Sequence, residues 1–417
     1  MSLGAQLLPN FAAEEGDGWR RDDASLRTVA HLWGLLFGSA SRVIGDPSPI
    51  PWPASLGERP TAPVFPWLED QGRVVCWLET DDARRDPRGA GLDFGGPSPD
   101  SVSRTHDKAF AQSCASEGGF VPRCLRSLIR VLDASELADP DAAIRTLGHE
   151  LEGWPEWARA SFTLKPRFGS SGRGRVAGSN GNADTPAIRG ALTRLASRGG
   201  AILEPWLHRS IDLSAQLRVQ PDGATLLLGT LQQLNSPAGV YRGHRGWLDS
   251  RGRVFSGSDY DEPLREAAAA LADAAARQGY SGPAGVDAFA FRLEEEPGGG
   301  TGSREVFRPA VEFNARFTLG TIALGLTRRA LGALKGPLGL EPGNRRAFVF
   351  ALAAPREGWR AATARAGRLA HLVPLWCHDD PPAEAQPALL FAESKSDLDG
   401  VAGSLLETRG SDAPSRR

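Results

Sequence analysis

The segment Val311-Glu312-Phe313-Asn314-Ala315-Arg316-Phe317 constrains this chain more than any other stretch. Read as a strand, it puts Glu312, Asn314 and Arg316 on one face and Val311, Phe313, Ala315 and Phe317 on the other, because side chains alternate with a period of two. The apolar face suits a core. The other lines up a carboxylate, a carboxamide oxygen and a guanidinium. That row suits a hard divalent cation with oxygen ligands, set beside an anion that arginine grips. An ordinary amphipathic strand with a solvated polar face fits the same residues, so the choice between them rests on what lies upstream.

Upstream, lysine is rare enough to be informative. Only Lys108, Lys165, Lys335 and Lys395 stand among 48 lysines and arginines. A lysine retained in such a chain marks a position needing a compact point charge rather than a planar fork. Two of the four sit in suggestive settings, Asp107-Lys108 and Leu164-Lys165-Pro166. After Lys165 comes Gly169-Ser170-Ser171-Gly172-Arg173-Gly174, a loop able to turn successive backbone N–H groups toward one phosphate. It is not a Walker A loop, because the lysine precedes the glycines and no Gly-Lys-Ser/Thr closes it. A surface hairpin has the same composition.

Further along, Thr185 to Arg198 predicts a helix with Pro186 near its start and Gly199-Gly200 at its end. Ala201–Leu207 predicts a buried strand leaving through Pro205, and Ser210–Val219 another strand. A turn at Pro221-Asp222-Gly223 leads into a third, from Ala224 to Gln232. Asp261 is expected to cap an alanine-rich helix over Glu262–Gln278 that Gly279 ends. Gly282–Phe291 predicts a strand, and Glu294–Gly300 a solvated hairpin loop.

Composition excludes several classes of function. A net charge of -2 leaves no electrostatic footprint for nucleic acid or an anionic membrane, and 41% hydrophobic with 24% charged residues describes an ordinary globular protein. The start lacks the basic and apolar regions of a secretory signal, and no run is long enough to span a bilayer. Four scattered cysteines suit a reducing cytoplasm better than a disulfide framework. Cys377-His378-Asp379-Asp380 has no second ligand pair and is not read as a metal site.

In the order of its motifs the chain resembles the ATP-grasp superfamily over roughly residues 100 to 330. Asp107-Lys108, then a helix and Glu117-Gly118-Gly119-Phe120-Val121-Pro122, is similar to the segment carrying a phosphate-contacting lysine. Lys165 with Gly169, Ser170, Ser171 and Gly172 resembles the second lysine and its lid loop. Glu204-Pro205-Trp206-Leu207 resembles the hinge, where backbone groups read the adenine edge and an acid contacts the amino group or ribose. Asp212 falls where a ribose-binding acid is usual. Asp287, Glu312 and Asn314 resemble the metal ligands, and Arg316 the substrate-facing arginine. The resemblance implies an α/β fold (α+β in the lid), with two α+β subdomains clasping ATP after a Rossmann-like N-terminal domain. The expected divisions are 1–106 for that domain, 107–203 for linker and lid, 204–330 for the subdomain with hinge and metal site, and 331–417 for a C-terminal extension.

Chemically, two lysines and a nest of N–H groups offset part of the triphosphate charge. Two carboxylates about 4 Å apart repel by roughly 4 kcal/mol at an effective dielectric near 20. Asp287 and Glu312 therefore converge only around a cation or a shared proton, and one or two Mg²⁺ ions (or Mn²⁺) are the expected occupants. With Lys165 and Arg316 as catalytic residues, the expectation is a ligase using Mg-ATP. It makes an acyl phosphate from a small-molecule or peptide carboxylate and passes the acyl group to an amine. No nucleic-acid or membrane partner is expected, and a homodimer stays open. A phosphotransferase and a non-catalytic nucleotide-binding regulator are the alternatives. Arg242, His244 and Arg245 are expected on a solvated loop.

Overall fold

The computed structural model describes residues 4–11, 13, 24–46, 48–69, 72–169, 174–236, 240–294, 303–355, 358, 360–362, 364, 370–376 and 385–406. Among them the chain forms three sheets. The first is small and parallel, from Gln6–Leu8 (β1), Arg42–Val43 (β2) and Val74–Cys76 (β3) in the order β2-β1-β3, with the Ala24–Gly34 helix in the β1 to β2 connection. This is a reduced version of the Rossmann-like sheet expected there. The second is antiparallel, from Arg130–Asp133 (β4), Ser161–Pro166 (β5), Val176–Ser179 (β6) and Gly200–Pro205 (β7) in the order β4-β7-β5-β6.

The third sheet holds Arg209–Val219 (β8), Thr225–Asn235 (β9), Tyr241–Asp249 (β10), Val254–Phe255 (β11), Gly282–Glu294 (β12), Ser303–Asn314 (β13), Arg345–Pro355 (β14), Ala370–Pro374 (β15) and Ala385–Ala392 (β16). Its order is β13-β12-β8-β9-β11-β10-β14-β16-β15. The C-terminal strands thus continue the same sheet through β14 on β10. Helix signals explain how the layers form. In the Pro186–Ser197 helix, Thr185 Oγ1 accepts from the Ile188 N–H, and Ile188, Ala191, Leu192 and Leu195 bury one face. In the Asp261–Arg277 helix, Leu264, Ala267, Ala268, Leu271, Ala272 and Ala275 are buried at helical spacing, and alanine favours the helix by propensity.

Two expectations are corrected. Asp261 is the first helical residue and not the cap. Its carboxylate accepts from Thr230 Oγ1 (2.6 Å), Ser256 Oγ (2.8 Å) and the Gly257 N–H (3.0 Å), tying helix to sheet. Arg242, His244 and Arg245 lie on strand β10, not in a solvated loop. His244 is buried with its Nδ1 2.6 Å from Tyr241 Oη, and burial pushes its pKa down to about 3. Arg245 donates to Gln232 Oε1 (2.6 Å) and pairs with Asp399 (3.1 Å), so its charge is spent within the fold. The Cys377–Asp380 run and the Glu295–Gly300 loop lie outside the described residues.

Candidate active site

Register across β9, β8, β12 and β13 builds one polar face, because cross-strand partners point the same way. Its rungs read Gln233–Asp212–Phe289–Arg308, then Leu231–Ser214–Asp287–Glu312, then Gly229–Gln216–Gly285–Asn314. Asp287 and Glu312 are therefore direct cross-strand neighbours. Asn314 Nδ2 donates to Asp287 Oδ2 at 3.1 Å, and Arg316 Nη2 donates to Asn314 Oδ1 at 3.2 Å. Burial, then Glu312, pushes the Asp287 carboxyl up to about 7, against Arg316 and the Asn314 bond. Phe289, the apolar neighbour of Asp287 on this face, lies under the Arg209 guanidinium at 4.4 Å from its ring centroid.

The Lys108–Glu117 helix lies along β13 with Lys108, Ala111, Gln112 and Ala115 buried. Asp107 caps it, accepting from the Ala109 N–H at 2.8 Å, and also binds Arg167. Lys108 Nζ donates to Gly169 O (2.7 Å) and sits 3.2 Å from Glu312 Oε1. It thereby joins the start of the glycine-rich loop to the carboxylate pair. One turn on, Gln112 Oε1 accepts from Arg308 Nη2 at 3.2 Å.

Arg308 completes a second cluster. Glu204, at the end of β7, gives Oε2 to Arg308 Nη1 (2.9 Å) and Oε1 to Lys165 Nζ. Glu204 is 4% and Arg308 2% exposed. Burial raises the Glu204 pKa, but Lys165 and Arg308 outweigh it and hold the carboxylate well below its usual range. Burial lowers the Lys165 pKa, opposed by Glu204, with Arg209 and Arg308 adding to the fall. Continued backwards from Glu312, the alternation that exposed Asn314 and Arg316 reaches Arg308. Stopping at Val311 hid it.

The remaining expected residues are placed as follows. Gly169 has φ 143°, a left-handed value that glycine tolerates, whereas Ser170, Ser171 and Gly172 lie outside the described residues. Trp206 donates its backbone N–H to Ser161 O (2.8 Å) and carries Arg175 over its ring at 3.9 Å. Leu207 packs against the core. Asp212 takes Arg209 at 2.7 Å and Asn235 Nδ2 at 3.1 Å. Beyond the strand, Arg316 folds back to donate to Phe317 O at 2.8 Å, with its cation 5.8 Å from the Trp77 ring centroid.

As a metal site, Asp287, Glu312 and Asn314 offer the all-oxygen donors that Mg²⁺ or Mn²⁺ prefers. The raised Asp287 pKa comes first from burial and then from Glu312, and a dication between the two carboxylates would offset both. Among the described residues no group of three or more His, Cys, Asp or Glu gathers as a self-sufficient metal site. The set therefore suits an ion that completes its shell with phosphate oxygens and water.

No protein-family model matches the chain, and no curated protein matches its sequence. Among solved structures, N5-carboxyaminoimidazole ribonucleotide synthetase from Thermus thermophilus is similar with a TM-score of 0.51 at 16% identity, over 97% of this chain and 98% of that one. The biotin carboxylase domain of the Hydrogenobacter thermophilus 2-oxoglutarate carboxylase, in complex with MgADP, ADP and bicarbonate, gives 0.50 at 13% identity, over 97% and 90%. At such identities the likeness is one of fold. What this chain shares with both neighbours is the ATP-grasp fold.

Proposed function

We propose that the protein is an ATP-dependent carboxylate–amine ligase. The observation that carries the reading is the cross-strand Asp287–Glu312 pair, with Asn314 beside it and Lys108 on Glu312. In the first step a carboxylate oxygen of the substrate attacks the γ-phosphorus of ATP. The bond to the bridging oxygen breaks, and ADP leaves. The amine nitrogen then attacks the acyl carbon, the bond from carbon to the phosphate oxygen breaks, and the nitrogen loses a proton as phosphate departs.

Asp287, Glu312 and Asn314 would hold Mg²⁺, which neutralises phosphate charge when bound. Lys108 and Lys165 supply further positive charge for the phosphates, and Arg316 faces the acceptor oxyanion. Glu204, Trp206, Leu207 and Asp212 surround the nucleoside. The MgADP and bicarbonate of the biotin carboxylase neighbour agree with this class of chemistry. Cys76, Cys114 and Cys124 are free, and among the described residues no helix is long and apolar enough to cross a membrane, which supports a cytoplasmic place for the reaction.

The test is a hydroxylamine trap with Mg-ATP and a panel of carboxylic acids. A hydroxamate that needs Mg²⁺, and that falls at least about 100-fold in Glu312→Ala, is the expected result. ADP release with a stable phosphorylated product and no hydroxamate would assign a phosphotransferase instead. Nucleotide binding with no turnover would assign a regulator.

A further inference from the structure

Arg308 reaches the polar face through an irregularity in β13. Between the Asp287–Glu312 rung and the Phe289–Arg308 rung, β13 advances four residues while β12 advances two. The extra length is a bulge, and it contains Pro309, which has no N–H to give to a ladder. A bulge beside a site re-aims the side chain next to it. Here Arg308, on the large sheet, meets Glu204 at the end of β7 in the four-stranded sheet, and Gln112 on the Lys108–Glu117 helix. Gln112 is itself turned by its Nε2, which donates to Ser116 Oγ at 3.3 Å and leaves the oxygen to the guanidinium.

The charges of this cluster do not balance. Glu204 offers one carboxylate to two cations, Oε1 to Lys165 Nζ and Oε2 to Arg308 Nη1. Among these three side chains one positive charge is left over. Arg209, whose charge also bears on Lys165, is matched by Asp212 at 2.7 Å. Burial decides where the surplus can act: Arg308 and Glu204 are sealed from solvent, whereas Lys165 keeps 16% of its side chain exposed. A buried ion pair adds little to stability over an apolar pair of the same shape. Arg308 also leaves its Nε buried with no hydrogen-bond partner among the described residues, a cost that packing does not explain. The third charge thus calls for a reason other than stability.

We infer that Arg308 is a positioning residue for phosphate binding: by taking half of the Glu204 carboxylate, it keeps the Lys165 ammonium from being neutralised. Lys165 then meets the phosphates of the nucleotide with its charge available. The inference rests on the ligase reading for Lys165 as a phosphate contact, and it gives the Glu204 carboxylate a task of its own, the steering of Lys165. Arg308 acts through Glu204 and not on the phosphates. With Arg308 removed, Glu204 and Lys165 close into a neutral pair. With the charge of Glu204 removed as well, the surplus on Lys165 returns.

The experiment uses the full chain with Mg²⁺ and displaces a fluorescent ATP analogue with ADP and with adenosine, which share the nucleoside and differ in the phosphates. In Arg308→Met, ADP should bind at least about 10-fold more weakly while adenosine changes less than about 2-fold. Combining Arg308→Met with Glu204→Gln should return ADP to within about 3-fold of the unaltered chain, a recovery that a merely structural arginine would not give. Should Arg308→Met fail to fold, the double variant still decides, because it must keep the preference for ADP over adenosine. Unchanged ADP binding in Arg308→Met, an equal loss for adenosine, or a double variant without that preference would overturn the inference. Failure of the unaltered chain to bind the ATP analogue would overturn the ligase reading, and this inference with it.

Discussion

Asp287 carries a testable consequence of its own. Its folded pKa lies near 7 against an ordinary 3.8, so the folded state holds this proton more tightly than the unfolded chain does. Stability should therefore fall as pH rises from about 4 to 7 and level off above. The full difference is worth at most about 4 kcal/mol, and because Asp287 keeps contact with solvent about half of that is expected. Urea midpoints of the metal-free protein at pH 5 and pH 8 check this, and Asp287→Asn should flatten the difference. Single residues were legible in the sequence where their chemistry was unusual for their position: Glu312, Asn314 and the scarce Lys108 and Lys165. Arg308 and His106 were not. Alternation reaches the place of Arg308 on the polar face, but it carries no trace of the pairing with Glu204, 104 residues away, or of that between His106 and Ala315, 209 residues apart.

At the scale of elements, glycine sets how closely the Leu319–Leu334 helix approaches the polar face. A Cβ on Gly320 would stand 2.3 Å from Gln216 Nε2, and the Gln216 amide cannot yield, because Thr318 and Thr321 both donate to its oxygen. Gly320→Ala should cost ~1–3 kcal/mol in urea unfolding, despite alanine's higher helix propensity. Helix and strand existence was largely readable in advance. Thr185, Pro186 and Gly199 bracket one helix, and alanine content marks another. Asp261 misled because a carboxylate before a helix usually caps it, whereas here three donors, one from β9 and two from the turn after β11, claim its oxygens. His244 misled because glycine and arginine neighbours resemble a loop, while the partners β9 and β14 make it a strand.

For the whole molecule, Arg329 fastens the N-terminal region to the body. Its guanidinium donates to the carbonyls of Leu35, Leu36, Phe37 and Ala62, and burial lowers its pKa to about 10. Arg329→Met would leave those carbonyls without this donor and should cost ~2–4 kcal/mol. Faster amide exchange confined to residues 24–37, beside an otherwise protected sheet, would identify the loss as one of docking. The large sheet carries a different consequence, in the order of synthesis. β10 meets β14 along Gly243–Asp249, yet β14 begins only at Arg345, roughly a hundred residues later. While the chain is being made, β13, the strand of Glu312 and Asn314, is complete before β10 has β14 beside it. A nascent protein thus holds its chemical residues in place while a row of backbone N–H and C=O groups still lies bare, open to pairing with another chain. The last strands act, in that sense, as a built-in guard against self-association.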